Sequence, residues 1–399
     1  MGSSIRTAIV MSRLPRLAPP NAPWLLGLRA ALRRVLERKE RLVLGDATAG
    51  CEFVRRGAEL LGMEWEVAST SSNHDARQKL AMNDHNGIPA RDQALADLAD
   101  ELLVLSVREN GHWHRLLRDR LSIGRSGVTL VDLAAPEDSA VRDELRGLGA
   151  VSWEPKLKDT RPFSSPFSDS AIIETKNAER ADSVVELVPF PDADNWVYVS
   201  HTTRSCPGPW PEQAMNDYLD SLLQSRGDAD HSPVGTLERI LSQRRLIASG
   251  GTARGGIRVV SFTACPLSRL PKLRRFRHHR GRWDFEPFGL CVCKEWLMHR
   301  GARPVLYGDE SMWQNMNESD RPFFQPAHSS GSTSDDTDSG IDWTVEREWR
   351  HIGDLDLSRL SHEDALVFVP NFAAARRLSA VSPWPITLWP DPAIDLLSR

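Results

Sequence analysis

Leu42-Val43-Leu44-Gly45-Asp46-Ala47-Thr48-Ala49-Gly50 decides how the first half of the chain folds. The apolar triplet has a buried-strand pattern and runs into a loop bounded by glycines. A helical stretch from Glu52 to Leu61 follows, stopped by Gly62. That order makes one βα unit. Outward from it, Trp65 to Ala68, Leu102 to Val107 and Val128 to Leu133 read as further strands, with a helix from His112 to Leu121 between the last two. Strands alternating with helices imply a mostly parallel sheet covered on both faces. Ligands of such sheets bind beyond the carboxyl ends of the strands, which makes Gly45, Asp46, Thr48 and Gly50 a candidate phosphate loop. Backbone N–H groups and the dipole at the helix start would hold the anion. The spacing is neither a Walker loop nor a strict GxGxxG, and a plain tight turn explains it equally well.

With 399 residues, 40% hydrophobic and 26% charged, the chain can bury more than one core, and two domains are expected. Residues 1–153 are expected to form the first, an α/β domain. In residues 154–194 periodicity gives way to Pro, Ser and charge, as in Arg161-Pro162-Phe163-Ser164-Ser165-Pro166, so a linker is expected. Residues 195–382 form the second domain, and 383–399 an extended tail with repeated Trp-Pro steps. No apolar run approaches the roughly 20 residues of a membrane span, and Met1 to Arg13 lacks the pattern of a signal peptide. A cytoplasmic protein without a membrane partner is expected. Cys51, Cys206, Cys265, Cys291 and Cys293 form neither a disulfide framework nor a zinc pattern, and no metal is assigned. The net charge of -4 argues against indiscriminate nucleic-acid binding.

Trp196 to His201 alternates like a strand and opens the second domain. A helix over Thr236 to Arg245 and strands over Ile257 to Thr263, Gly289 to Cys293 and Pro304 to Tyr307 follow. Ser329 to Gly340 is a low-complexity tract, expected to be a mobile loop. Directly after it, Val345 to Ile352 read as a strand puts Glu346, Glu348 and Arg350 on one face. Two carboxylates would then stand roughly 7 Å apart. Like charges that close suit a cationic transition state, such as an oxocarbenium ion at a sugar carbon. The competing reading is an exposed edge strand whose acids pair with Arg347 and Arg350. Ser261 and Thr263, and His201 with Thr202, bring hydroxyl and imidazole groups to strand ends, where they could hold a ribose. His201 also fits a satisfied structural histidine.

Ser261 to Ser268, Phe288-Gly289-Leu290, Lys294-Glu295-Trp296, Gly301 to Tyr307 and Glu346-Arg347-Glu348-Trp349-Arg350 together resemble the AbiGi-type abortive-infection family of phage-defence proteins. The layout of a His-bearing strand, a Ser/Thr-bearing strand and a Glu-x-Glu strand resembles the ADP-ribosyltransferase fold, implying an α+β second domain. In that fold, the resemblance implies, Glu348 holds the ribose and supports the oxocarbenium ion, Glu346 orients the acceptor, and the preceding loop selects the target. The chain departs from the pattern in lacking a stacking tyrosine pair, since it has only Tyr198, Tyr218 and Tyr307. The first domain resembles the Rossmann-like domains of the DprA and SLOG group, which bind DNA or nucleotides.

Arg269, Lys272, Arg274, Arg275, Arg277, Arg280 and Arg282 place seven cations in fourteen positions, with Phe276 and Trp283 interleaved and His278 and His279 beside them. No acid intervenes until Asp284. Such a run is an electrostatic footprint for phosphates, and the aromatics can stack on unpaired bases; it also fits plain solvated surface. Arg274 and Arg275 are the expected phosphate contacts and Trp283 a stacking or wedge residue. The expected function is an antiphage enzyme that cleaves an N-glycosidic bond in phage DNA, without a cofactor. Glu348, Glu346 and His201 would act in catalysis, with Thr202, Ser261, Thr263 and Arg350 on the substrate. Two alternatives stay open: an ADP-ribosyltransferase or NAD glycohydrolase with NAD as the glycosidic substrate, and a non-catalytic antitoxin or sensor.

Overall fold

Arg6–Met11 (β1), Glu101–Ser106 (β4) and Val128–Val131 (β5) are runs of apolar residues buried almost end to end, as strands covered on both faces must be. A computed structural model describes residues 4–12, 14–15, 18–45, 48–68, 87–133, 139–163, 185–250, 253–277, 282–327 and 342–390. In it these strands join Arg41–Leu44 (β2), Trp65–Val67 (β3) and Val151–Trp153 (β6) in one sheet of order β3-β2-β1-β4-β5-β6. Every neighbouring pair is parallel. That is the doubly wound Rossmann-like order, which reverses direction between β1 and β4. The helices are Pro23–Glu37 (α1), Ala49–Leu60 (α2), Ala90–Leu98 (α3), His112–Ser122 (α4) and Ser139–Gly147 (α5). One face of the sheet is covered by Leu25, Leu28 and Leu32 of α1 with Phe53 and Val54 of α2. The other is covered by Leu95 of α3, Leu117 of α4 and Leu145 of α5.

The division of the chain differs from the one expected. Met1–Ser168 with Pro207–Asp230 form one compact unit, and Asp169–Cys206 with His231–Arg399 the other. The segment assigned by sequence order to the second domain carries helix Met215–Leu223 (α6), whose Tyr218, Leu219, Leu222 and Leu223 bury in the first unit's core. Polar contacts add to this. Buried Arg29 donates to the carbonyls of Leu222 and Leu223 at 2.6 and 3.0 Å, and Arg56 clamps Asp220 through bonds of 2.6 and 2.7 Å. The expected linker likewise begins as part of this unit, since Phe163 is buried in the same core and Arg33 donates to the carbonyls of Asp159, Arg161 and Pro162.

The second unit is built on Tyr198–Thr202 (β7), Val259–Thr263 (β8), Gly289–Cys293 (β11), Arg303–Pro304 (β12), Glu348–Ile352 (β13), Ala365–Val369 (β14) and Ile386–Leu388 (β15). Between β8 and β11 the chain makes a separate hairpin of Arg275–Arg277 (β9) and Arg282–Asp284 (β10). The sheet order is β12-β13-β8-β7-β11-β14-β15. All neighbours are antiparallel except β14 and β15. Helices Pro233–Gln243 (α7) and Phe372–Ser379 (α8) cover one face through Leu237, Leu241, Ala375 and Leu378. Residues 383–390 of the expected extended tail belong to this sheet: β15 pairs with β14, while Trp384 and Trp389 are buried against its core, so apolar burial holds them; the rest of the tail lies outside the described residues. Among the described residues no helix is long and apolar enough to cross a membrane, and no cluster of His, Cys, Asp and Glu is arranged to hold a metal.

Candidate active site

The acidic motif folds differently from a continuous strand. Trp343–Glu346 is a single 3-10 turn, capped by Asp342 accepting from the Thr344 amide at 2.9 Å, and β13 starts only at Glu348. Arg347 between them takes a left-handed φ of 47°. Strand alternation therefore does not relate Glu346 to Glu348. A staple from the end of β8 brings them together instead. The Thr263 hydroxyl donates to the Glu346 carbonyl, the Ala264 amide to the Arg347 carbonyl at 3.0 Å, and the Cys265 thiol to the Val345 carbonyl at 3.0 Å. Both glutamates border one cleft of about 450 Å³, together with His201, Thr202, Ser261, Thr263, Arg350, Arg204, Arg282 and Asp284.

Register explains the grouping. Glu348 pairs with Thr263, Arg350 with Ser261, and Thr263 with Ser200. Paired residues of antiparallel strands share a face, so three segments distant in sequence present one polar row. Arg350, only 1% exposed, grips Glu348 through two bonds of 2.9 Å and donates to the carbonyls of Pro322 and Phe324 and to Gln325 Oε1. Its guanidinium is fully engaged within the protein. It orients Glu348 and has no donor left for a substrate, contrary to the expected role. Thr263 is likewise occupied, accepting from the Cys265 amide at 3.1 Å, and positions Glu346. The Ser261 hydroxyl is different: it is buried and has no hydrogen-bond partner among the described residues.

The Glu346 carboxyl is pushed up to about 7, first by burial and then by Glu348 and Asp284, with Arg277 and Arg204 opposing. Near neutrality it exchanges a proton. Tyr307 O accepts from the Glu348 amide at 2.9 Å, and burial pushes its phenol up to about 12. His201 Nδ1 lies 2.9 Å from the Ser261 carbonyl, which can only accept, so Nδ1 carries the proton and Nε2 a lone pair. Burial lowers its pKa, and Arg204 adds to that. Alternation turns the His201 ring to the face opposite Ser200, where it meets the Phe262 ring at 5.6 Å. It borders the cleft outside the carboxyl row.

The basic run becomes a helical turn followed by the β9–β10 hairpin, whose register pairs Arg275 with Asp284, Phe276 with Trp283 and Arg277 with Arg282. Its outer face carries exposed Phe276 and Trp283, ring centroids 5.4 Å apart, with Arg274 4.2 Å over the Trp283 ring. Its inner face carries buried Arg277, bonded at 2.6 Å to buried Asp284. Arg277 is thus an interior charge facing the acid and not the surface phosphate contact expected. Arg275 is exposed, and Arg282 borders the cleft. Arg280, His278 and His279, like the 329–340 tract, lie outside the described residues. Asp284, Arg204 and Tyr307 were not among the expected site residues, although Asp284 is the acid that ends the basic run.

In the first unit, Thr48 caps α2, its hydroxyl accepting from the Cys51 amide at 3.1 Å. A Cβ on Gly50 would come within 2.8 Å of the Met11 side chain, so this glycine lets β1 and α2 close on each other. Gly45 leads into the loop, and Asp46 lies outside the described residues. Among the described residues of the loop, Thr48 thus spends its hydroxyl on its own helix and does not present it to an anion.

No family model matches the chain, and no curated protein matches it. Among solved structures, the X-ray structure of DNA processing protein A (DprA) from Streptococcus pneumoniae is similar over 39% of this chain, at 16% identity and a TM-score of 0.28. The match spans 60% of the DprA chain, less than two thirds of it. The Rossmann-like assignment of the first unit rests on its own strand order and parallel register.

Proposed function

We propose that the second unit is a hydrolase that cleaves the N-glycosidic bond of a nucleotide in DNA. One observation carries this reading: two carboxyl groups share a cleft of about 450 Å³ in opposed surroundings, Glu348 clamped by a buried arginine and Glu346 lifted to about 7. Environments that separate two acids in this way divide acid and charge-stabilising roles between them. As the C1′–N bond breaks, its electron pair passes to the base nitrogen, which takes the Glu346 proton. The carboxylate of Glu348 offsets the positive charge on the sugar. Water then adds at C1′ and gives its proton back to Glu346, which restores the acid. The unpartnered Ser261 hydroxyl, on the face of the carboxyl row, supplies a bond for the nucleotide.

The hairpin beside the cleft favours a base in DNA over nicotinamide. Trp283, Phe276 and Arg274 offer a stacking platform next to a pocket that a base must leave its helix to enter. The resemblance of the Glu346–Arg350 region to abortive-infection proteins makes phage DNA the first substrate to try. The test incubates the purified chain with phage and host DNA, with and without NAD, and measures abasic sites, released bases and ADP-ribosylated products. Abasic sites without NAD are expected, abolished by Glu348→Gln and slowed by about 100-fold in Glu346→Gln. A mass gain on DNA or protein that strictly requires NAD would assign the same carboxyl pair to ADP-ribosyl transfer. No product at all from folded protein would leave a sensor and sink the proposal.

A further inference from the structure

The cleft of the second unit holds a hydrogen-bond donor that the proposed cleavage step does not use. It belongs to Gln325. Two short segments, Leu306–Gly308 and Phe324–Pro326, pair in parallel beside the main sheet, with Tyr307 opposite Gln325. Buried Phe324 anchors the second segment, its carbonyl accepting from Arg350 at 2.8 Å, and the Ala327 amide closes the pairing on the Gly308 carbonyl at 3.0 Å. Gln325 is thus held between fixed neighbours, half-buried, at the border of the cleft.

Its amide has one orientation. Arg350 Nη2 lies 2.7 Å from Gln325 Oε1, and a guanidinium only donates, so the oxygen faces the arginine and the NH2 group faces away from it. The same Nη2 donates to Glu348 Oε2 at 2.9 Å, which makes the carboxylate and the amide neighbours on one nitrogen. The NH2 group has no hydrogen-bond partner among the described residues. Other polar groups around it are committed or charged: Arg350 is engaged throughout, Thr263 positions Glu346, and Arg204 is drawn toward Asp284 at 3.8 Å. Gln325 therefore sets a neutral pair of donors next to the carboxylate assigned to C1′.

We infer that Gln325 stabilises the departing base, and that the substrate is a base with a hydrogen-bond acceptor beside its glycosidic nitrogen. This role rests on the glycosidic-cleavage reading. As the C1′–N bond breaks, its electron pair spreads from that nitrogen onto the adjoining acceptor, O2 of a pyrimidine or N3 of a purine. An N–H of Gln325 bonds that atom most strongly when the charge on it is greatest, and keeps its proton; the proton that the base gains still comes from Glu346. Nicotinamide has only C–H groups beside its glycosidic nitrogen and gives such a donor nothing to bond.

Gln325→Glu in the full chain tests the role, because a carboxylate still accepts from Arg350 but has no N–H to give. Base release is timed on oligonucleotides carrying either a natural base or its counterpart with the acceptor removed or weakened: the 3-deaza forms of deoxyadenosine and deoxyguanosine for purines, the 2-thio forms of thymidine and deoxycytidine for pyrimidines. On the natural base kcat should fall about 100-fold with KM little changed, and on the counterpart less than about threefold. The bases that show this difference tell whether O2 or N3 is bonded. Gln325→Met, similar in length and uncharged, should give the same difference between base and counterpart if the added carboxylate prevents folding. Unchanged kcat in folded Gln325→Glu, or an equal fall on base and counterpart, would overturn the inference and reduce Gln325 to a support for Arg350, with the cleavage reading left standing. No base released by the wild-type chain, or reaction only with NAD, would overturn both.

Discussion

The two units make their clefts by different means. In the first unit, topology alone opens a crevice beyond the strand ends: wherever parallel strands reverse their winding, loops splay apart, and the lining is whatever the βα loops carry. In the second, nothing in the topology requires a site. The cleft depends on cross-strand register between Ser200, Thr263 and Glu348, and on a buried ionic network that holds the acids in place. The first cleft should therefore tolerate loss of single side chains, while the second should be fragile and sensitive to pH.

Arg350→Ala presses hardest on that contrast. It leaves the Glu348 carboxylate without its counter-ion and orphans the Pro322 and Phe324 carbonyls, so about 3–5 kcal/mol of unfolding free energy should be lost in urea titrations. A loss below about 1 kcal/mol would mean the network is dispensable. Next comes pH. The folded protein holds the Glu346 proton more tightly than the unfolded chain, since the group moves from 4.5 to about 7. This contribution is fully present below 4.5 and is lost as pH rises through about 7, a fall on the order of 3 kcal/mol. Glu346→Gln should flatten that slope in denaturation curves taken across the window; an unchanged slope would place its origin elsewhere.

Arg29→Met probes the first unit. Removing donors from the Leu222 and Leu223 carbonyls should cost about 1–2 kcal/mol, and hydrogen exchange should quicken in α6 before it does in β1. Trp283→Ala should weaken binding of a single-stranded oligonucleotide by about 1 kcal/mol, measured by anisotropy. Arg275→Ala should do least, lowering the salt slope of that binding by about one, with no dependence on sequence. If Arg277→Ala instead changes the salt slope while stability holds, the inner and outer faces of the hairpin have been misread.

What could be read from sequence follows the same division. Buried parallel strands are short apolar runs, so β2, β4 and β5 were legible, and with them the Rossmann-like class of the first unit. Antiparallel register is not a local property, and Trp343 to Ile352 shows why. Its residues alternate as a strand would, yet the Asp342 cap and the left-handed Arg347 break the pattern midway. The two glutamates thus border one cleft for a reason other than strand alternation, and that reason lies 83 residues upstream in Thr263. Arg277 and Asp284 show a different limit. The basic run revealed charge, but which charges turn inward depends on a hairpin register that composition does not carry. The α6 segment was assigned by its place along the chain, although its apolar face completes a core formed 150 residues earlier.

That last feature bears on how the protein is made. Because Pro207–Asp230 finishes the first unit, a nascent chain that has emerged only as far as Ser168 presents Leu28, Leu32 and Phe53 without the helix that covers them. The ribosome must then deliver Asp169–Cys206, including β7, a strand from the middle of the second sheet, before the first unit can close. Both units thus pass through a stage with an open apolar face, the stage at which a folding chain is most exposed to aggregation. A gene fragment ending at Ser168 should express as insoluble protein, and one that rejoins 207–230 through a short linker should not.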